Sequence, residues 1–182
     1  MRGLMPYSNG YYSLIIQDDY SSTFAFTTSN IIGGIEITSS PKNKQYNRVT
    51  AKFTNPDANW QLDTVTWPEA DSSNYTAFLT ADSNVELTTE ISLPSTTDYY
   101  AARDIARIVC LESRNSKLIV GITATSEALK CAIGDVVTVT HSTPDWSSKK
   151  FMVTNLQLLD SGEVKVVMRE HTSSIFTWST EA

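Results

Sequence analysis

Alternating apolar and polar positions recur along most of the chain and predict short β-strands. In residues 47–54, Val49, Ala51 and Phe53 fall on one side of the predicted strand, and polar residues occupy the other side. Similar runs predict further strands at residues 12–17, 23–27, 34–38, 62–66, 85–93, 117–125, 136–141, 151–155 and 164–169. Clusters of glycine, asparagine and proline separate these runs, as turns require. The pattern therefore predicts a mainly β protein.

A helical pattern interrupts the strands after Pro94. Residues Ser95 to Asp98 have the spacing of a capping box, and Asp98 suits the positive end of a helix. Apolar residues then recur at helical spacing, at Ala101, Ile105, Ile108 and Val109. This segment predicts one principal α-helix near residues 97–114.

Together these elements predict an α+β fold with two small β subdomains, each barrel-like or sandwich-like. We expect the division near residue 94. Residues 1–94 then form an N-terminal β subdomain, and residues 95–182 combine the helix with a barrel-like C-terminal subdomain. The apolar faces of the periodic segments predict the core of the C-terminal half, which consists of Ile105, Val109, Leu118, Val120, Val139, Phe151, Val153 and Val166.

Composition and charge narrow the class of protein. The chain has 182 residues, 41% hydrophobic and 19% charged, with a formal net charge of -6. The apolar residues are spread along the whole chain, which argues against charge-rich disorder. An acidic balance without a basic run argues against specific nucleic-acid binding, and no apolar run is long enough for a membrane span. Cys110 and Cys131 are expected to be buried thiols, which fits folding in a cytoplasm.

The sequence offers no evident catalytic or metal-binding constellation. His141 and His171 lack a neighbouring histidine or cysteine at metal-ligand spacing, and no Gly-x-Ser-x-Gly elbow occurs. Residues 82–86 begin like a calcium loop but lack its glycine and its distal glutamate. We therefore expect no catalytic residues, no cofactor and no metal. An enzyme whose triad is assembled from distant residues stays open as an alternative.

Aromatic residues suggest a binding role for part of the surface. The chain contains an unusual set of candidates, Trp60, Trp67, Trp146, Trp178, Tyr11, Tyr12, Tyr99 and Tyr100. Such side chains build sugar-binding platforms, but they also build cores and subunit interfaces, which we favour here. Trp146 lies in a turn-rich loop, a position in which its ring could be exposed. The candidate interface residues are Trp146, Tyr99 and Tyr100.

The order of several short motifs resembles that of phage tail-hub proteins. These motifs are Tyr46–Thr50, Phe53, Asn55–Pro56, Leu93–Pro94, Ala101–Ala106, Arg114, Gly134–Val137, Trp146 and Phe151–Val153, preceded by the runs 10–14 and 26–33. In this order the chain is similar to the tip-attachment (host-specificity) proteins of lambda-like siphophages. It is also similar to the related group described as "putative phage tail protein".

This resemblance implies a structural role as a central tail hub that joins the tail tube to the tip and fibres. The implied partners are tube or distal tail proteins, the tape-measure protein and the fibres. The resemblance also implies a homo-oligomeric ring, usually a trimer, in a longer parent of which this chain is an internal fragment. The implied location is the virion tail tip, after synthesis in the host cytoplasm. The alternative is a carbohydrate-binding β-domain without catalysis, for which exposed aromatic rings and saturable glycan binding are expected.

Overall fold

The computed structural model describes residues 3–5, 7–8, 10–12, 14–16 and 20–176. In chain order the strands are β1 (Gly3–Leu4), β2 (Tyr7–Ser8), β3 (Tyr11–Tyr12), β4 (Ile15–Ile16), β5 (Phe24–Phe26), β6 (Ile31–Ser39), β7 (Arg48–Asn55), β8 (Gln61–Trp67), β9 (Thr88–Leu93), β10 (Leu118–Ala124), β11 (Val136–His141), β12 (Trp146–Leu158) and β13 (Val164–Glu170). The helices are α1 (Ser73–Ala81) and α2 (Tyr99–Asn115). The protein is mostly β, which confirms the predicted fold class.

The chain folds into two compact units that are not consecutive along the sequence. Unit 1 consists of Pro41–Asn115, and unit 2 is formed by the segments that precede and follow it, up to Ser40 and from Ser116. These units divide the chain differently from the predicted boundary near residue 94. The reason is that α2 packs on the strands of unit 1 and contributes Ala102, Ala106 and Cys110 to their core.

Unit 2 contains a six-stranded sheet in the order β5–β11–β12–β13–β10–β6. All neighbours are antiparallel except β5 and β11, which run parallel. Alternate residues of each strand point to one face, so the inward residues form a single apolar core. Its buried members are Phe26, Ile31, Val120, Ile122, Ala124, Ala128, Cys131, Val137, Val139, Phe151, Val153, Val164, Val166 and Met168.

Unit 1 contains a three-stranded sheet in the order β8–β7–β9, with α2 against one face. The alternation predicted for β7 is observed, since Val49, Ala51 and Phe53 are buried. The helix residues that lie in the core are Ala102, Ala106 and Cys110, spaced at i, i+4 and i+8. Their small side chains let the helix backbone approach the sheet. The buried face of α2 is therefore shifted by one residue from the predicted face, which contained Ala101, Ile105 and Val109.

The predicted core of the C-terminal half is confirmed for five residues, Val120, Val139, Phe151, Val153 and Val166. Leu118 is partly buried and packs against the same core. Ile105 and Val109 were assigned to the wrong region. Both lie on α2 in unit 1, where Val109 packs against the unit 1 core.

The ends of the helices are set by short polar side chains. The predicted helix is observed as α2, and Asp98 accepts hydrogen bonds from the backbone nitrogens of Tyr100 and Ala101 at 2.7 and 3.2 Å. The residue that caps the helix is therefore Asp98, and not Ser95. Helix α1 was not predicted. Ser72 caps it by accepting from the Tyr75 nitrogen at 3.2 Å, but no residue of α1 is buried, so its periodicity is weak.

Candidate assembly surfaces

Four exposed apolar side chains gather at one end of the unit 1 sheet. They are Trp60 and Leu62 of the β7–β8 hairpin and Tyr99 and Tyr100 at the start of α2, and they are called the aromatic end below. Leu62 lies opposite Thr54 in the strand register, and the Thr54 nitrogen donates to the Thr96 carbonyl at 3.0 Å. The hairpin tip and the start of α2 are therefore neighbours.

The hairpin tip is held rigid by the side chain of Asn55. Its Oδ1 accepts from the Asp57 nitrogen at 3.0 Å, and its Nδ2 donates to Asp63 at 2.8 Å. This hydrogen bond from Asn55, followed by one from the Thr64 nitrogen, lowers the pKa of Asp63 from its ordinary value. The Asp63 carboxylate is thus kept charged, and it ties the two strands together just below the tip.

Trp60 occupies an unfavourable backbone conformation at this tip. Its φ is 60°, and its side chain is 69% exposed. The left-handed region costs a residue with a Cβ about 1–2 kcal/mol. A large indole held in water on a strained backbone contributes nothing evident to the fold. Strained residues of this kind cluster at functional sites, which makes Trp60 a candidate contact residue.

Two of the three predicted interface residues, Tyr99 and Tyr100, belong to this aromatic end. The Tyr99 ring packs edge-on against Phe53 at 6.1 Å and against Tyr100 at 5.5 Å. Tyr99 is thereby anchored to the unit 1 core, and it supports Tyr100, which is 67% exposed. The sequence analysis placed Trp60 among the aromatic residues but not among the interface residues. The positive φ of Trp60, which distinguishes it, is not visible in the sequence.

The third predicted residue, Trp146, lies in unit 2 and is not freely exposed. It opens β12, and its ring packs against Phe151 at 5.1 Å, beside the unit 2 core. The Lys149 ammonium lies 5.3 Å from the Trp146 ring centre and 2.8 Å from Glu170. Trp146 therefore lies in a strand and not in a loop, because the 13-residue strand β12 begins at it, and its partly buried ring packs against the core.

A buried polar network braces unit 1 behind its sheet. The Asn47 amide is fully buried and donates to Asp82 at 3.0 Å and to the Val85 carbonyl at 2.8 Å, while its oxygen accepts from the Leu87 nitrogen at 2.8 Å. Arg114 bonds the same Asp82 oxygen at 2.6 Å. The segment that begins like a calcium loop is thus a structural turn, in which Asp82 joins α1, α2 and β7.

The two edges of the unit 2 sheet differ. Strand β5 has only three residues, and Asn30 folds back beside it, donating from Nδ2 to the Ala25 carbonyl at 3.0 Å. Strand β6 has nine residues, and among the described residues it pairs with β10 alone. Natural sheets cover or shorten their edges because unpaired backbone groups recruit further strands. By this criterion β6 is the unprotected edge.

A shallow cleft in unit 2 is lined by Leu14, Tyr20, Ser21, Thr23, Gly134, Asp135 and Val136. A tyrosine ring, hydroxyls and a carboxylate are groups that can hold a sugar. However, Asp135 Oδ2 already accepts from the Ala132 nitrogen at 2.9 Å and from the Thr23 hydroxyl at 3.3 Å. The carboxylate is therefore engaged in closing its own turn.

The reactive side chains of the described residues have structural surroundings. Burial raises the pKa of Cys110 to about 12 and that of Cys131 to about 11, so both thiols stay protonated at neutral pH. His141 accepts from the Thr143 nitrogen at 3.2 Å, and His171 stacks on Phe176. Within the described ranges, no group of three or more histidine, cysteine or acidic side chains could hold a metal ion. No described helix is long and apolar enough to cross a membrane.

Residues 3–156 match the profile of the family described as "Putative phage tail protein". The chain belongs to this phage tail protein family. It is also similar to the baseplate hub protein pb3 of Escherichia phage T5, with 18% identity over 168 residues, which cover 92% of this chain. The chain spans only 17% of that relative's length.

Several solved structures, two of them of tail proteins, share the fold of the chain. A protein of the native gene transfer agent virion superposes with a TM-score of 0.67 at 14% identity, covering 93% of this chain and 36% of that one. A tail protein from Neisseria meningitidis MC58 gives 0.52 at 12% identity, covering 87% and 47%. The 43 kDa tail protein of prophage MuSo2 from Shewanella oneidensis gives 0.53 at 10% identity, covering 92% and 49%. These likenesses establish the architecture of this tail protein.

Proposed function

We propose that the chain is a non-catalytic structural part of a central tail hub, located at the tail tip of the virion. The observation that carries this proposal is the similarity to a baseplate hub protein along nearly the whole chain. In this role the chain joins the tail tube to the tip and fibres. Its partners are then tube, tape-measure and fibre proteins, and copies of the longer parent form a trimeric ring around the tube axis.

The aromatic end of unit 1 is the surface through which we expect unit 1 to contact a neighbouring tail protein. Trp60 is presented on a rigid tip, and Tyr100 is supported by Tyr99 and Phe53. Anchors of this kind bind with little loss of side-chain freedom, because their positions are set before the partner arrives. Large rings fixed in water therefore support a role in assembly.

Cryo-electron microscopy of purified virions that carry the full-length parent protein tests the proposal. We expect density for both units at the tail tip, arranged around the tube axis, with another chain against Trp60 and Tyr100. If the parent is absent from virions and is found free in the host or secreted, the hub role is wrong. In that case saturable binding of the chain to glycans would support the carbohydrate-binding alternative.

A matched pair of variants tests the aromatic end within the same system. Trp60→Ser combined with Tyr100→Ser removes the two most exposed rings of this surface, and we expect fewer complete tails in electron micrographs. Val85→Ser is the control, since Val85 is also exposed in unit 1 but lies outside the aromatic end. Equal tail yields for the double variant and the control would contradict a role for this surface.

A further inference from the structure

The start of the chain forms a hairpin that exposes large apolar side chains. Strands β1 and β4 pair antiparallel, as do β2 and β3, so that Tyr7 lies opposite Tyr12 and Leu4 opposite Ile15. The described residues of this hairpin, 3–5, 7–8, 10–12 and 14–16, are called the arm below. Among its described residues Met5, Tyr7, Tyr11, Tyr12 and Leu14 are exposed. An exposed apolar patch of this kind marks a contact surface.

The composition of the arm suits a strand that pairs with another sheet. All its described residues are uncharged, although the chain as a whole has a formal net charge of -6. The Tyr7 and Tyr12 rings lie 5.0 Å apart, which stiffens the hairpin across its strands. The four described pairs, Gly3–Ile16, Leu4–Ile15, Tyr7–Tyr12 and Ser8–Tyr11, keep one antiparallel register.

Strand β6 offers an edge of matching character in the same unit. Ile37 lies opposite the fully buried Val120, on the side of the sheet that forms the core, yet Ile37 is 47% exposed. Among the described residues, the apolar side of the sheet thus continues to the edge and stays about half exposed there. The strand contains no proline and no lysine, the residues that usually protect an edge.

Glu36, the single charged residue of β6, does not protect that edge from pairing either. A carboxylate oxygen of Glu36 lies 3.3 Å from the position that a Cβ at Gly121 would occupy. The Glu36 side chain therefore leans over β10, inward from the edge, because Gly121 leaves room for it. What β6 presents outward is backbone and aliphatic surface, to which a neutral strand can add without opposing a charge.

We propose that the arm of one copy of this chain adds as a strand to the β6 edge of a neighbouring copy. Two different surfaces meet in this contact, so it is heterologous, and repeated heterologous contacts form a ring when the rotation between copies closes. The proposal rests on the proposed function, because it names the contact that joins copies within the hub. The described residues of the arm are uncharged, and the one charge of β6 leans inward from its edge, so the contact avoids the repulsion expected between two acidic chains.

Sedimentation of mixed variants tests this contact with the 182-residue chain. Tyr11→Lys combined with Tyr12→Lys places charges on both faces of the arm, and Ile37→Lys places one at the edge. The control is Ile119→Lys, because Ile119 is 41% exposed on the adjoining inner strand β10. Circular dichroism melting verifies that all variants are folded.

We expect the wild-type chain and the control to self-associate at high concentration into closed oligomers. The arm variant and the edge variant each associate at least roughly tenfold more weakly, about 1.4 kcal/mol. Mixing these two variants restores a dimer, because one intact arm and one intact edge remain. No such dimer, or a wild-type chain that stays monomeric near 1 mM, overturns the proposal. Tail-tip density in virions is a separate result, so a failure here leaves the hub role to be judged independently.

Discussion

The two units of this tail protein differ in the size and the composition of their cores. The sheet of unit 2 has six strands, and the side chains on its inner face are mostly aliphatic or aromatic. The core of unit 2 described above contains fourteen buried side chains. Unit 1 has a smaller core of eight buried side chains, three of which are small residues of α2. Unit 1 also buries Asn47, Arg107 and Glu112. The smaller unit therefore depends more on polar interactions.

The difference shows how core size changes what each residue contributes. In a broad apolar core, a single position is stabilised by removal of apolar surface from water. In a small core, a satisfied polar network also specifies which segments meet, and it is costly to leave half-satisfied. Asn47, directly before β7, illustrates this, since its one amide is joined by three hydrogen bonds to the segment from Asp82 to Leu87, between α1 and β9.

The largest expected effect is that of a charge placed in the unit 2 core. Val153 is fully buried between strands, so Val153→Asp should lower the free energy of unfolding by several kcal/mol, about 4 or more. Thermal melting followed by circular dichroism measures the loss. The control is Asn155→Asp on the exposed part of the same strand, for which little change is expected. Equal melting temperatures for the two variants would mean that Val153 is not buried.

The second effect concerns the polar network of unit 1. Asn47→Ala leaves the Leu87 nitrogen without its acceptor and removes one donor from Asp82, which should cost about 2–3 kcal/mol. Urea unfolding followed by far-ultraviolet circular dichroism measures it. Asn74→Ala, on the exposed side of α1, is the matched control and should be neutral or slightly stabilising. A cost for Asn47→Ala no larger than for the control would show that the network is not important for unit 1.

The smallest expected effect is a difference in stability between two variants of Trp60 at the hairpin tip. Trp60→Gly should make the chain about 1 kcal/mol more stable than Trp60→Ala, because glycine adopts a φ of 60° without strain. Both variants remove the indole ring, so the difference between their melting temperatures reports the cost of the positive φ for a residue with a Cβ. If alanine proved as stable as glycine, Trp60 would hold no strain, and this reason for regarding it as a contact residue would disappear.

Most strands and the principal helix could be predicted because their signals are local. The alternation in β7 and the cap at Asp98 lie within a few residues of the element that they define. Helix α1 escaped prediction because it buries no residue and so lacks a clear apolar stripe. Trp146 was misplaced because its neighbours resemble a turn, whereas the pairing of β12 with β11 extends to it.

The candidate assembly surfaces were only partly predictable. Tyr99 and Tyr100 could be named from residue type, and the structure places them together at one end of unit 1. The proposed role of Trp60 follows from its backbone conformation, and the proposed role of β6 from its place at the edge of a sheet. Neither property is encoded in a short pattern of residue types.

The sequence by itself determined the local elements, the mainly β class and the resemblance to tail proteins, because periodicity, caps and motif order are written in neighbouring residues. Only the tertiary structure decided that strands before and after unit 1 in the sequence pair in one sheet, in which Ile37 lies opposite Val120. It also decided that α2 belongs with the strands before it. The physical reason is that strand pairing and helix packing depend on which distant apolar faces fit together, and many pairings satisfy the same local pattern.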